Sequence, residues 1–559
     1  MRASWLPAEL PNSWAPTHGW MAARIAAGVA IVVIVAFAVL ARPKVAALIS
    51  QSGRRVGRRV LVGLLAVASL LAVASYVDFG VFRYGTYLNE WDFYHYYVGT
   101  KYAPELGYVG LYGATLAADE ETGLRYKNPQ GEIRDLASAR LREVEEVAAE
   151  APLYKARFSQ ARWRELVADI AWFKTQLPEN RWSLLLADHG YNGTPAWSFV
   201  VGTLLTRRLS VRVPWQRWIM LLLDPLLLLG TAVVVGRTFG LRVALLFVTF
   251  LGTHYLFSWG HLKGALLRTD FAMASVLAVC FVKLERYKLA GILLGWAILS
   301  RVFPAFFLVG PAVLLAEQLV RRRSPDRRLL GMLLVSAATV AALVLASAAY
   351  FGGMAIWHEW SSKITLHYAD GSDWDLGFRT IVEARFPHGV PMRGWDFATL
   401  TGVWPSATEK LPAWLALALL VLPAVTFIRS LEHHEAVAFG FVFVFLFAVA
   451  SYYYYLILCV PLLFFAGELD QPQNALGAAF LFLTGWAGYV LFSGWESLHA
   501  FWMPLRGWHQ TFPTYFYLSC LVAVTVAQMI ALAASRAARA GQRVSSRSQP
   551  QCSSSSPAP

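Results

Sequence analysis

The 559-residue chain is 57% hydrophobic and only 15% charged, with a mean hydropathy of +0.47. A soluble domain carries about 25% charge, so this much apolar surface excludes a single water-soluble core and makes lipid part of the solvent. The net charge of +14 lies in short basic runs between apolar segments, not in a stripe with interleaved aromatics, which argues against nucleic acid as a partner.

The N-terminus lacks the basic n-region and small-residue cleavage site of a signal peptide, so the first apolar run, Arg24 to Ala41, reads as a retained helix. The loop 42–59 holds Arg42, Lys44, Arg54, Arg55, Arg58 and Arg59 and no acidic residue. By the positive-inside rule this loop is cytoplasmic and the N-terminus outside. Residues 1–78 are thus two transmembrane helices around a basic loop, the second delivering the chain to the outer face.

Residues 79–194 form a long extracytoplasmic loop. An aromatic stretch, Tyr84 to Tyr112, opens it, and two amphipathic helical patterns follow on either side of Pro152. Ala137, Leu141, Val144 and Ala148 share one face; Trp163, Leu166, Ile170, Phe173 and Leu177 share the other. Such helices either lie on the membrane surface and cap the bundle or form a small solvated hairpin.

Residues 195–351 read as the transmembrane core, with apolar segments near 195–206, 215–236, 241–257, 265–282, 289–302, 303–319 and 329–351. The run 289–319 breaks around Arg301 to Pro304, and Arg321 to Arg328 mark the cytoplasm again. The segment 195–206 is shorter than the ~20 residues a span needs. The basic turns 237–242 and 283–288 can both be cytoplasmic only if it does not fully cross, so it is expected to be short, re-entrant or buried in protein. A second extracytoplasmic loop covers 352–411. The C-terminal transmembrane helices, 412–535, lie near 412–428, 437–451, 453–466, 475–493 and 514–535, and 536–559 is a basic, Ser/Pro-rich, disordered cytoplasmic tail. The fold class is an all-α polytopic bundle of roughly 11–13 helices with no evident internal repeat. Cys280, Cys459, Cys520 and Cys552 make no CxxC spacing, so neither a disulfide framework nor a zinc site is expected.

Asp92 is the leading catalytic residue: a carboxylate just outside the membrane among Trp91, Phe93, Tyr96 and Tyr97. Partial burial there raises a carboxyl pKa toward the range of a general base; the bland alternative is an Asp that caps a short helix. Ionisable residues at membrane depth are costly and default to functional roles. They include His261 and Lys263 at an outer mouth, Arg268 and Asp270 at the next helix start, Arg301 at the helix break, and the deeper Asp224. Arg268 with Asp270 reads equally well as an ion pair holding helices together. In the second loop Lys363, His367, Asp370, Asp373, Asp375 and Arg379 cluster, but Asp373 and Asp375 lack a Gly-centred calcium-loop pattern, so no metal is expected. Tyr452 to Tyr455, at another break, suit an interfacial aromatic belt.

In this order the pieces resemble the bacterial polytopic glycosyltransferase family 87 of the GT-C superfamily. The opening loop with Asp92, Phe93, Tyr96 and Tyr97, then Gly107 and Leu111-Tyr112, is similar to that family's first loop. Tyr191 to Pro195 resembles its Tyr-Pro-Pro segment. Leu289-Ala290-Gly291, Arg301 and Pro304-Ala305 resemble its helix pair. The likeness spans roughly 85–466, with Arg301 where the family usually has Lys and Gly260-His261 where Gly-Gln is common. The resemblance implies a GT-C enzyme of the bacterial plasma membrane that transfers a hexose or pentose from a polyprenyl-phosphate sugar to an envelope glycolipid or glycan at the outer face. It needs no cofactor beyond that lipid-linked donor. Asp92 would be the base, with inversion at the anomeric carbon. Lys263, Arg268, Arg301, Arg379, His261, His367, Tyr96 and Tyr97 would bind donor phosphate or substrate. The competing classes are a transporter or lipid flippase, whose polar site would lie near the membrane midplane, and a non-catalytic assembly partner.

Overall fold

A computed structural model describes residues 18–82, 86–123, 132–177, 179–258, 262–322, 324–370, 375–382, 391–392, 395–396, 411–448, 450–502 and 511–547. The chain is an all-α bundle in which strands are short pieces. Among the described residues, seven helices are long and apolar enough to cross a membrane, and shorter apolar helices stand between them.

Helices α1 (Trp20–Ala41) and α2 (Gln51–Tyr76) form the first antiparallel pair, and Ser50 caps α2 by accepting from the Gly53 N–H at 3.1 Å. The long loop then folds on its own hydrophobic core. In it α3 (Glu90–Lys101) and α4 (Leu111–Glu121) precede a hairpin of β1 (Glu132–Arg134) and β2 (Leu141–Glu143), followed by α5 (Gln160–Gln176). Trp163, Leu166, Ile170 and Phe173 of α5 are buried against Phe93, Tyr94 and Tyr97 of α3, as the 3.6-residue period predicts.

The other amphipathic pattern is not one helix. Ala137 and Leu141 fall in the hairpin, and only Val144–Ala149 is helical. Asp135 explains the difference: its carboxylate accepts from the Ala137 N–H and the Ser138 hydroxyl, while Arg134 donates to the Ala139 carbonyl, so a turn outcompetes the helix.

The core of the bundle begins at α6 (Pro195–Val201), continued by a π turn to Thr206. Phe199 and Arg207 both touch Tyr350, and Thr194 bonds the Leu299 carbonyl, so α6 enters and leaves at one end of the bundle and does not cross it. Then come α7 (Pro214–Phe239), α8 (Leu241–Thr253), α9 (Asp270–Lys283) and α10 (Tyr287–Ser300). Arg301 is extended (φ −146°, ψ 132°), and a 3-10 turn at Phe303–Leu308 with Pro304 in its first turn leads into α11 (Val309–Arg322). The break expected at Arg301–Pro304 is therefore present. Helices α12 (Arg327–Tyr350) and α13 (Ala355–Asp370) follow.

A two-residue strand β3 (Asp375–Leu376) pairs antiparallel with β4 (Ala450–Ser451), which interrupts the later bundle between α14 (Leu411–Phe427), α15 (His433–Phe439), α16 (Phe441–Phe447) and α17 (Cys459–Ala466). Helices α18 (Pro472–Trp502) and α19 (Thr511–Arg547) close the chain. The helical part of the tail extends to Arg547, so the expected disorder from Arg536 does not hold there; Glu435 and Glu468 both pair with Arg536.

The basic connectors meet at one end of the bundle. Arg242 pairs with Asp470 at 3.0 Å, Arg328 with Glu285 at 3.2 Å, and His433 lies 2.8 Å from the Tyr287 hydroxyl. The helix breaks at 254–258, 262–269, 301–308 and 450–458 gather at the other end, beneath the folded loop.

Candidate functional site

Asp92 sits in the first turn of α3. The cap is Asn89, whose carboxamide oxygen accepts from the Asp92 N–H at 3.2 Å, so Asp92 is the third helical residue and not the cap. The positive helix terminus favours negative charge there. Its carboxylate faces Arg268, with Nη2 to Oδ1 at 3.6 Å. Besides the aromatic rings expected around this carboxylate, a desolvated guanidinium stands against it.

Arg268 is 2% exposed. Its guanidinium lies 4.0 Å above the Tyr96 ring and 5.2 Å from that of Tyr453, and its Nε and Nη1 find no hydrogen-bond partner among the described residues. The pairing with Asp270 does not occur. Asp270 instead accepts from the indoles of Trp197 and Trp296 at 3.0 and 3.1 Å and from Ser300 at 2.7 Å, which locks α6, α9 and α10 together. Asp224, beside Pro225 inside α7, accepts from the backbone N–H of Arg268 and Thr269 at 2.9 and 3.0 Å. It is a positioning residue: it fixes the backbone that aims Arg268.

The turn before Arg268 is also tied to the cap of α3. The Asn89 N–H donates to the Gly264 carbonyl at 3.0 Å. Gly264 has φ +71°, and a Cβ there would stand 1.6 Å from the Tyr87 carbonyl oxygen, so only glycine lets the two segments meet. Asp92 and Arg268, far apart in sequence, are thus held by one backbone junction.

Tyr96 stands between two cations. Arg301, 6% exposed, donates from Nη2 to the Tyr96 hydroxyl at 2.9 Å and from Nη1 to the Ser300 carbonyl at 2.5 Å. Its Nε has no partner among the described residues. Tyr454 lies 5.3 Å from Arg301 and 5.8 Å from Arg268. The tyrosine run therefore turns inward onto the arginines and is not an outward aromatic belt; Tyr452 stacks on Tyr515 at 4.9 Å.

Two cavities adjoin here. One of about 400 Å³ is lined by Trp91, Asp92, His95, Tyr96, Asp188 and Arg268, among others. The second, about 190 Å³, is lined by Thr194, Ser300, Arg301, Phe303, Ile364 and Tyr454, among others. They share Asn192 and Ser451. Asp188 is the carboxylate that sequence reasoning missed. It accepts from the Trp91 indole at 2.8 Å and from the His189 N–H at 2.7 Å. The turn signature Asp188-His189-Gly190, just before the Tyr191 motif, was the available cue; Gly190 has φ +74°. Burial holds the His95 imidazole below its ordinary pKa. Nδ1–H donates to the Trp91 carbonyl, leaving Nε2 to accept from the Tyr112 hydroxyl at 2.8 Å.

The other residues singled out lie elsewhere. Tyr97 is buried on the far side of α3, where its hydroxyl accepts from Lys101 at 2.8 Å and donates to the Leu209 carbonyl at 3.1 Å. The Lys263 ammonium lies over the Tyr76 ring at 4.8 Å, and Arg379 is exposed; neither lines the two cavities. His261 is outside the described residues, as are Asp373 and the side chains of His367 and Asp370. No group of three or more His, Cys, Asp or Glu suited to a metal occurs among the described residues.

Helix α13 walls the smaller cavity through Trp360 and Ile364. Glu359 accepts from the N–H groups of Tyr108 and Val109 at 3.1 and 3.2 Å, which accounts for Gly107 at φ +60°. Lys363 donates to the Tyr191 carbonyl at 2.5 Å and to the Asn192 amide oxygen at 2.8 Å. Burial pushes its amine down to about 7. A neutral amine has two N–H groups for these two acceptors. The folded chain thus binds fewer protons than the unfolded chain between pH 7 and the ordinary lysine pKa. This linkage makes stability rise with pH across that window. Lys363→Met is expected to abolish that rise in thermal midpoint between pH 7 and 10, read against the wild type; equal slopes would contradict the assignment.

Comparison of the chain with protein-family models, curated proteins and solved structures finds no match.

Proposed function

We propose that the chain is an integral membrane glycosyltransferase of GT-C type. It would move a hexose or pentose from a polyprenyl-phosphate donor to a hydroxyl of an envelope glycolipid or glycan. The observation that carries this reading is the shared cavity of Asp92 and Arg268, a carboxylate and a desolvated cation 3.6 Å apart. Proton removal and stabilisation of a departing phosphate need these two groups on one cavity.

The step balances without a further reactant. The acceptor oxygen forms a bond to the anomeric carbon, Asp92 takes the hydroxyl proton, and the bond from that carbon to the phosphate oxygen breaks. Polyprenyl phosphate leaves with the electron pair, and one displacement inverts the centre. Arg268 and Arg301 are the cations for that charge.

The side of the membrane follows from charge. The connectors carrying Arg54, Arg55, Arg58, Arg59, Arg321, Arg327 and Arg328 lie opposite the cavity end, which supports a cavity facing the exterior or periplasm of a bacterial plasma membrane. The cavity's place at the helix ends, rather than midway along them, favours transfer over transport.

Deleting the gene and weighing envelope glycolipids by mass spectrometry tests the reading in the cell. A species should appear lighter by one or more sugar units. An unchanged glycolipid profile with accumulated lipid on one leaflet would favour a flippase.

A further inference from the structure

A further cavity, of about 240 Å³, lies at the opposite end of the bundle, where the basic connectors meet. It stands between α11 and the turn that joins α14 to α15. Helix α11 contributes Leu314, Glu317 and Arg321; the turn contributes Arg429, Leu431 and His433. The two walls are fixed to one another nearby, since a Cβ on Gly310 of α11 would stand 2.0 Å from the Ala436 carbonyl oxygen of α15. Leu314 and Leu431 are buried.

The charge of this cavity is unbalanced. Arg321 has Glu317 at 3.2 Å. Arg429 is exposed and has no carboxylate or hydrogen-bond partner among the described residues. His433 is held by the Tyr287 hydroxyl at 2.8 Å, with Asp326 at 3.9 Å. Two guanidiniums therefore meet one carboxylate on the cavity wall. The approach to Arg429 is apolar. Leu415, Leu419 and Leu422 are exposed at helical spacing along α14, and Thr426 and Arg429 continue that series to the helix end. Leu415 to Thr426 covers ~16 Å of helix rise, about one leaflet of a ~30 Å hydrocarbon core.

We propose that this cavity binds the headgroup phosphate of an anionic phospholipid, between Arg321 and Arg429, with the acyl chains lying along Leu415, Leu419 and Leu422. The proposal takes the side of the membrane from the charge argument above and is independent of the transferase reading. The leaflet facing the basic connectors is the cytoplasmic one, whose anionic lipids are drawn to basic pockets between helices. A guanidinium is suited to phosphate because its planar donors can fork onto two oxygens. About 240 Å³ is below the ~300–1,000 Å³ that encloses a whole ligand, so a headgroup enters and its chains stay in the bilayer. A zwitterionic headgroup brings its own cation and leaves the excess charge of the cavity in place. The phosphate, once seated, ties α11 to the turn before α15.

The test is binding to the full chain in detergent of phosphatidylglycerol, with phosphatidylcholine as the zwitterionic probe and inorganic phosphate as the tail-less one. Phosphatidylglycerol should bind tightest. Arg429→Gln should weaken it about fivefold, the worth of one arginine near an anionic headgroup, and Arg429→Lys should recover most of that loss. Glu317→Gln removes the cavity's carboxylate and should tighten phosphatidylglycerol by about two- to fivefold, a gain that misfolding would not produce. Arg58→Gln, an exposed arginine of the same end outside this cavity, should change it less than about twofold. Equal losses in Arg58→Gln and Arg429→Gln would overturn the site in favour of general surface charge. Equal affinity for phosphatidylglycerol and phosphatidylcholine, unmoved by Arg429→Gln and Glu317→Gln, would overturn it outright. Inorganic phosphate binding as tightly as phosphatidylglycerol, with the same response to the variants, would replace the lipid by a soluble phosphate. None of these outcomes touches the Asp92 cavity, so the transferase reading stands or falls separately.

Discussion

Replacing Asp92 with asparagine is expected to lower sugar transfer by about 10²–10⁴-fold, the worth of a positioned base. Asparagine has the same shape, can keep the contact with Asn89 and occupies the same turn of α3, so folding should be spared. What it loses is the capacity to hold the acceptor's proton. It also leaves Arg268 without its carboxylate, so donor binding should persist while the chemical step fails. Asp92→Ala should fall as far in rate. Rate loss at unchanged donor affinity, measured in single-turnover transfer, marks the step; wild-type turnover in both variants would remove Asp92 from the mechanism.

The largest stability effect is expected at Asp169, which has no exposed surface. Its carboxylate binds Lys101 at 2.7 Å, Arg212 at 2.9 Å and the Tyr102 hydroxyl at 2.9 Å, joining α3, α5 and the segment that enters α7. Asp169→Ala takes the buried carboxylate from the Lys101 ammonium, which keeps the half-exposed Glu165 at 2.7 Å and the Tyr97 hydroxyl at 2.8 Å, and should cost about 3–5 kcal/mol. Replacing both partners, Lys101→Met with Asp169→Leu, should cost far less, because no charge is then left buried. Chemical unfolding of the two variants separates these cases, and equal losses would show that packing rather than charge holds the network. Since Lys101 lies about one turn beyond Tyr97 and Tyr96 on α3, this network also sets how firmly the Asp92 end of the helix is held.

The bundle was largely legible because lipid imposes length and apolarity on each span. The segment at 195–206 was expected to be short, because the turns at 237–242 and 283–288 could both be cytoplasmic only if it failed to cross, and it is a seven-residue helix continued by a π turn. The break at Arg301 was readable from Pro304. The hairpin at 132–143 was not, because Asp135 acts through local hydrogen bonds that leave hydrophobic spacing intact.

At the site, the residue types pointed to Asp92, Arg268 and Arg301, and all three line the adjoining cavities. Which of them meet was hidden, since Arg268 neighbours Asp270 in sequence yet faces Asp92 in space. That choice is made by Asp224 and Gly264, whose roles depend on backbone contacts no spacing rule records. Tyr96 and Tyr97 look alike as a pair; helical geometry sends one to the cavity and the other to the Asp169 network. Asp188 carried only a turn signal, and its function depends on a fold that brings it beside Trp91.

The most direct test of the account is transfer by the purified chain in lipid nanodiscs, given decaprenyl-phosphate sugars and an envelope glycolipid extract. The account predicts one decaprenyl phosphate released for each sugar gained by the acceptor, with Asp92→Asn inactive in the same preparation. Intact donor after prolonged incubation, together with movement of the lipid between leaflets when the chain is placed in sealed vesicles, would contradict it.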